Sequence, residues 1–181
     1  MENELHILTA KMRILHIAPE WCLFQAFGKQ KNIKYVPGDK MVLGYSNQKG
    51  VKYVDLTDLD FDDGSFDCVL ANHVLEHIVD DQKAMSEIYR VLKFGGAGII
   101  TVPIDETLEK TYEDPAIFSS EDREKYFGQW DHVRMYALDI KNRFENAGFN
   151  VALNRYAETF SEEDRKKYGL KNDIIIHLSK I

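Results

Sequence analysis

Cysteine and proline are scarce in this sequence: its 181 residues hold two of the first and four of the second. Cys22 and Cys68 form no C-x-x-C pair, which argues against a disulfide framework and against a cysteine-based zinc site. Long apolar runs are missing as well. The first twenty residues carry Glu2, Glu4, Lys11 and Arg13, so neither a signal peptide nor a membrane span is expected from them. Positive charge is short too, with 23 Lys and Arg against 30 Asp and Glu and a net charge of −7. That balance lacks the broad positive field needed by a nucleic-acid or anionic-membrane binder. The run Arg165-Lys166-Lys167 sits among acids and reads as a solvated helix face. Two motifs are absent. There is no G-x-G-x-x-G, which weakens a nicotinamide-cofactor reading, and Gly44-Tyr45-Ser46 continues to Asn47-Gln48 without completing a G-x-S-x-G elbow. The expectation left standing is one soluble, reduced, cytoplasmic domain over residues 1–181.

Strand signals recur at the spacing of an alternating α/β chain. They fall at 13–18 (RILHIA), 33–36 (IKYV), 51–54 (VKYV), 66–71 (FDCVLA), 98–104 (GIITVPI), 149–156 and 173–178. The fifth is almost wholly apolar, as a strand buried on both faces should be. Pro19 and the apolar run 21–27 predict a first helix ended by Gly28. Asp80 or Asp81 caps a second, with Ala84, Met85, Ile88 and Leu92 on one face and Gly95-Gly96 as its stop. Ser119-Ser120-Glu121-Asp122 starts a third, and 137–147 predicts a fourth, ended by Gly148. Seven strands with helices between most of them make a doubly wound, mostly parallel sheet with helices on both faces.

In such a sheet the ligand lies beyond the carboxyl ends of the strands, where the strand order switches. The residues placed there are Ala18-Pro19-Glu20, Asp39, Asp55, Asn72-His73 and Pro103-Ile104-Asp105. Asp39 follows the second strand by the spacing, about 20 residues past the first turn, at which a carboxylate grips both hydroxyls of a ribose. Shaping the Pro37-Gly38 turn is its bland alternative.

The run VDLTDLDFDDGSFDCVLANHVLEHIVDDQKAMSEIYRVLKFGGAGIITVPI, residues 54–104, resembles the central portion of the class I S-adenosylmethionine-dependent methyltransferases. A weaker flanking pattern extends the likeness over nearly the whole chain. The resemblance implies a seven-stranded sheet whose last strand is antiparallel, S-adenosyl-L-methionine as cofactor, and methyl transfer to an O or N atom of a small-molecule acceptor. It implies that Asp55, Leu56 and Thr57 border the adenine, that Asp39 holds the ribose, and that Asn72 and His73 lie beside the methionine portion. His73 is then the better-placed base. The first motif departs from the family. His16 stands at the usual acidic position, and Ala18, Pro19 and Glu20 replace a glycine-rich turn. Either Glu20 replaces the lost contacts to the cofactor, or the domain is a non-catalytic binding or regulatory relative.

His73-Val74-Leu75-Glu76-His77 also matches H-x-x-E-H, the zinc motif of inverted peptidases. Its position directly after a strand and the lack of a third ligand on a companion helix argue against a zinc hydrolase, and no metal is expected. Residues 105–135 are too long for an ordinary connection and are rich in aromatics and charge. They are read as a lid or acceptor-site insertion. Asp131-His132-Val133-Arg134 near its end offers His132 and Arg134 either as groups that orient an acceptor and take its proton or as a structural network. Only about a dozen residues precede the first strand, so pocket walls stay exposed, which fits a homodimer.

Overall fold

The computed structural model describes residues 7, 9–40 and 49–181; Glu2, Glu4 and the Gly44-Tyr45-Ser46 stretch weighed above lie outside them. The described residues form strands β1 (Met12–Ile17), β2 (Ile33–Asp39), β3 (Lys52–Tyr53), β4 (Phe66–Asn72), β5 (Leu92–Thr101), β6 (Asn150–Asn154) and β7 (Ile175–Ser179). The helices are α1 (Trp21–Gly28), α2 (Asp81–Val91), α3 (Ser120–Phe127), α4 (Ile140–Asn146) and α5 (Glu162–Tyr168). The sheet order is β3-β2-β1-β4-β5-β7-β6. Every neighbouring pair is parallel except those of β7, which runs antiparallel to both β5 and β6. The doubly wound sheet and its antiparallel last strand stand as expected. None of the described helices is long and apolar enough to cross a membrane.

Alternation along the central strands divides the core. Ile14, Cys68 and Leu70 face α1 and pack with Phe27 and Ile33. Leu15, Ile17, Val69 and Ala71 face the other way, onto Ala84, Met85 and Ile88 of α2 and Ile140 and Phe144 of α4. Burying so many aliphatic side chains, at about 25 cal/mol per Å² of apolar surface, is the main term holding the layers together. The α2 start is as read: the Asp80 carboxylate accepts from the Lys83 N–H at 2.9 Å. The α3 start is also as read, with Ser119 Oγ accepting from Asp122 N at 3.1 Å.

Several boundaries shift: β2 runs on through Pro37 and Gly38 to Asp39, and β5 spans Leu92–Thr101. Two further differences have clear causes. The Gly95-Gly96 pair does not end α2, which stops at Val91 and passes straight into β5. Instead 93–96 bulges out of the β4–β5 ladder, whose register jumps from Phe66↔Leu92 to Cys68↔Ala97. Gly95 takes φ +75, and the bulge is held by Gly95 N to Lys180 O at 2.7 Å. The expected helix 137–147 begins only at Ile140, because Asp139 turns its carboxylate to Thr111 N and Oγ1 at 2.9 and 2.6 Å. That pair fastens one end of the 105–135 segment to the sheet side.

Candidate active site

The strand order reverses between β1 and β4. Directly past these two strands stand Ala18 (φ 47) and His73 (φ 53), the non-glycine residues that take left-handed backbone among those described. Such conformations cost on the order of 1–3 kcal/mol and persist where surrounding bonds impose them. Here the bonds are Ala18 N to Gly38 O and His73 N to Thr101 O, both 2.8 Å. Ala18 therefore makes the turn that a glycine would make with less strain.

One hydrogen-bonded chain crosses the switch point. Tyr35 Oη lies 2.9 Å from His16 Nδ1, and His16 Nε2 lies 2.9 Å from Glu20 Oε2. Asn72 Nδ2 then donates to Glu20 Oε1 at 2.8 Å, and Thr101 Oγ1 donates to Asn72 Oδ1 at 3.1 Å. His16 is completely buried with both ring nitrogens engaged, so it positions Glu20 and does not itself reach a ligand. The Glu20 side chain is 40% exposed and opens toward solvent. Burial pulls its carboxyl up, but the bonds from His16 and Asn72 outweigh this and hold it below its ordinary value, ionised at neutral pH.

Asp39 ends β2 half-buried, with its carbonyl accepting from Val54 N at 2.9 Å. Asp55 bends into a local turn: Oδ1 accepts from Thr57 N and Oγ1 at 2.9 and 2.8 Å, and Oδ2 meets Lys40 Nζ at 2.8 Å. Partial burial opposes ionisation there, while the Lys40 ammonium and the Thr57 donors prevail and lower its pKa. Leu56 is buried, so its side chain packs inward and only its backbone can border a ligand. The residues read as cofactor-binding are thus assembled at one end of the sheet, with His16 and the Leu56 side chain set one layer behind.

After Asn72 the chain does not enter a helix. His73 is followed by a short 3-10 turn, Leu75–His77, so His73 and His77 do not share the helical face that the peptidase motif requires. His73 is exposed, with Nδ1 3.4 Å from Glu76 Oε1. That carboxylate, opposed by burial and helped by the charges of Asp173 and Glu20, raises the His73 pKa above its ordinary value.

Arg134 proves to be a fastener. Its buried guanidinium donates to the carbonyls of Leu75 (3.1 Å), Ile78 and Val79 (2.9 Å) and to Glu113 Oε2 (2.8 Å). Arg143 reaches Asp81 and Glu113, and Tyr136 Oη donates to Asp81 at 2.8 Å. Four of its five N–H groups are used on protein oxygens, so these contacts favour the structural role of the two open to it. Val133 N also donates to Glu76 O at 2.9 Å. His132 is buried and its Nδ1 lies 2.9 Å from Phe127 O. Sequence reasoning missed that this brings His132 against His77, ring centroids 4.8 Å apart, and against Glu76. It also missed Tyr35, although period-two alternation puts Tyr35 on the same sheet face as its neighbour His16.

Residues 28–100 match the family model described as methyltransferase domain. The ubiquinone/menaquinone biosynthesis C-methyltransferase UbiE of Escherichia coli O1:K1 is 33% identical over 104 residues, which cover 50% of this chain and 41% of that protein. The chain thus matches less than half the length of that relative. Among solved structures, a Burkholderia thailandensis 1,6-didemethyltoxoflavin-N1-methyltransferase with bound S-adenosylhomocysteine superposes at TM-score 0.64 and 15% identity, covering 94% of this chain and 72% of that one. A Haloferax volcanii chain described as the putative methyltransferase, in complex with the activator Trm112, gives TM-score 0.63 and 18% identity, covering 94% and 83%. At these identities the superpositions establish the fold.

Proposed function

We propose, from the premise that this chain carries the fold and the domain signature of the class I, S-adenosylmethionine-dependent methyltransferase family, that it binds S-adenosyl-L-methionine at the carboxyl ends of β1 to β4 and methylates an O or N atom of a small molecule. One observation supports the reading: Glu20 and Asn72 meet past β1 and β4, at the switch in strand order beside Ala18, and Asp39 and Asp55 follow along the same edge at the ends of β2 and β3. These groups fit the cofactor. Asp39 would accept from the ribose hydroxyls, and Asp55 with the Leu56 and Thr57 backbone would border the adenine. Glu20 keeps free lone pairs beside those used by His16 and Asn72, and would receive the ammonium of the methionine portion. When bound, the sulfonium supplies an activated methyl group that leaves sulfur as the acceptor's lone pair attacks in line.

His73, exposed at the mouth, would hold the proton that an O or N acceptor gives up. Residues 105–135 would lie over the acceptor as a lid. A second reading, a non-catalytic binding or regulatory domain, is favoured by one observation: Glu20 and Pro19 occupy the turn where backbone N–H groups usually meet the cofactor. We further propose a cytoplasmic setting, which suits the two free thiols Cys22 and Cys68, and assembly as a homodimer.

Calorimetric titration with S-adenosylhomocysteine tests the reading. One-to-one micromolar binding is expected, weakened in Asp39→Ala by about 1–3 kcal/mol for the lost charged hydrogen bonds. No binding in the wild type would leave the non-catalytic reading, and unchanged affinity in Asp39→Ala would remove the ribose assignment.

A further inference from the structure

Glu76 is an anomaly of the loop after β4. Its side chain is 1% exposed, yet neither carboxylate oxygen has a hydrogen-bond partner among the described residues. Its contact with His73, 3.4 Å to one oxygen, is a loose ion pair with an exposed ring. Leaving an ionised carboxylate buried with so little compensation is costly, and a protonated one would still have unused polar atoms.

Two imidazoles stand beside it. One ligating atom from each of Glu76, His77 and His132 lies within 4.8 Å of the other two. Each ring has an oxygen acceptor at Nδ1. His132 Nδ1 faces the Phe127 carbonyl, which can only accept, so the proton sits on Nδ1 and the neutral ring has its lone pair on Nε2. His77 Nδ1 lies 3.2 Å from the Asp131 carboxylate, which imposes the same tautomer. Asp131 is itself braced by Gln129 Nε2 at 2.8 Å. Metal-binding histidines are characteristically held in this way, by a carbonyl or carboxylate on the second nitrogen.

We propose that Glu76, His77 and His132 bind a divalent first-row transition ion, Zn(II) being the reference case. Two imidazoles and one carboxylate are a donor set that such ions favour, and the set leaves coordination positions open to water or to a hydroxyl or amine of a bound molecule. The donors must close slightly to reach metal-bond lengths, which the partly exposed His77 ring can do. The ion would neutralise the buried carboxylate and clamp the loop after β4 to the segment before α4. The proposal departs from the expectation of no metal, replaces His73 of the H-x-x-E-H pattern by His132, and does not depend on the methyl-transfer reading.

The test is titration of the full chain, stripped with a chelator, with Zn(II) by calorimetry and with Co(II) by visible absorption. One equivalent should bind, with cobalt d–d bands. His77→Gln, His132→Gln and Glu76→Gln should each weaken binding by at least about 100-fold, since even outer partners of a metal ligand are worth 10–100-fold. S-adenosylhomocysteine binding and circular dichroism on the same samples report folding and the cofactor site separately. Absence of saturable one-equivalent binding in the wild type overturns the proposal. So does wild-type affinity in any folded variant of the three.

Discussion

Arg134→Met asks how much the fork of Arg134 contributes, because methionine keeps most of the stem and removes the guanidinium. Four hydrogen bonds go. Their loss is unequal. Leu75 O still accepts from Ile78 N, and Val79 is 78% exposed, so water can reach its carbonyl. Ile78 O loses its charged donor, and Glu113 keeps only Arg143. At about 1–3 kcal/mol for each buried partner left wanting, and with the buried pairing of Arg134 and Asp81 at 3.8 Å broken, the total is about 3–5 kcal/mol. For a chain of this size that corresponds to a fall in Tm of roughly 6–20 °C, a large part of an ordinary folding stability. Urea denaturation followed by far-ultraviolet circular dichroism measures the loss. Arg134→Lys should fall between, since an ammonium keeps charge but cannot span three carbonyls and a carboxylate. Arg155→Met is the comparison, because among the described residues Arg155 makes surface ion pairs with Glu106 and Glu158, and its removal should leave stability unchanged within error. If Arg134→Met matched Arg155→Met, the fastening argument would be refuted.

Two further outcomes follow from the described contacts. Ala18→Gly should stay within about 1 kcal/mol of the wild type in the same assay, as relief of left-handed strain offsets chain entropy and a lost methyl contact. Ala18→Val should cost about 2 kcal/mol, because a β-branched residue resists that conformation; equal stability of the two variants would show that the turn is not strained. Glu87 accepts both arms of Arg90 and the Leu59 N–H, and the Arg90 bond lowers its pKa below the ordinary 4.5 despite burial. A lowered carboxyl contributes stability that is full above the unfolded value and is lost as pH falls through the folded one. The stability gap between wild type and Glu87→Gln should therefore be constant near neutrality and shrink below pH 4.5; a constant gap across that window would exclude the linkage.

Much of the frame was legible because its signals are local. The strands announced themselves as apolar runs, and α2 through its period together with Asp80. The strand-end carboxylates Asp39 and Asp55 needed only the rule that ligands bind at the carboxyl edge. The errors came from distant partners. Gly95-Gly96 looks like a helix stop, and only pairing with Lys180 at the far end of the chain makes it a bulge. Arg134 was ambiguous because its partners are mostly backbone carbonyls, which no side-chain pattern announces. His132 meets Glu76 and His77 through the Val133–Glu76 backbone bond, a contact between two loops that carry no shared period.

The two fastenings of the 105–135 segment give it the properties of an interchangeable part. Thr111 is tied to Asp139 at one end, and Arg134 grips the loop after β4 at the other. Between these anchors Phe118, Tyr126 and Trp130 are exposed, while Phe127 is the buried pin. A library that randomises the exposed positions and keeps Thr111, Phe127, Arg134 and Asp139 should preserve folding in most members. In the proposed lid role, chain replacement between the same anchors would change the acceptor surface while the sheet, and the groups at its carboxyl edge, need no redesign.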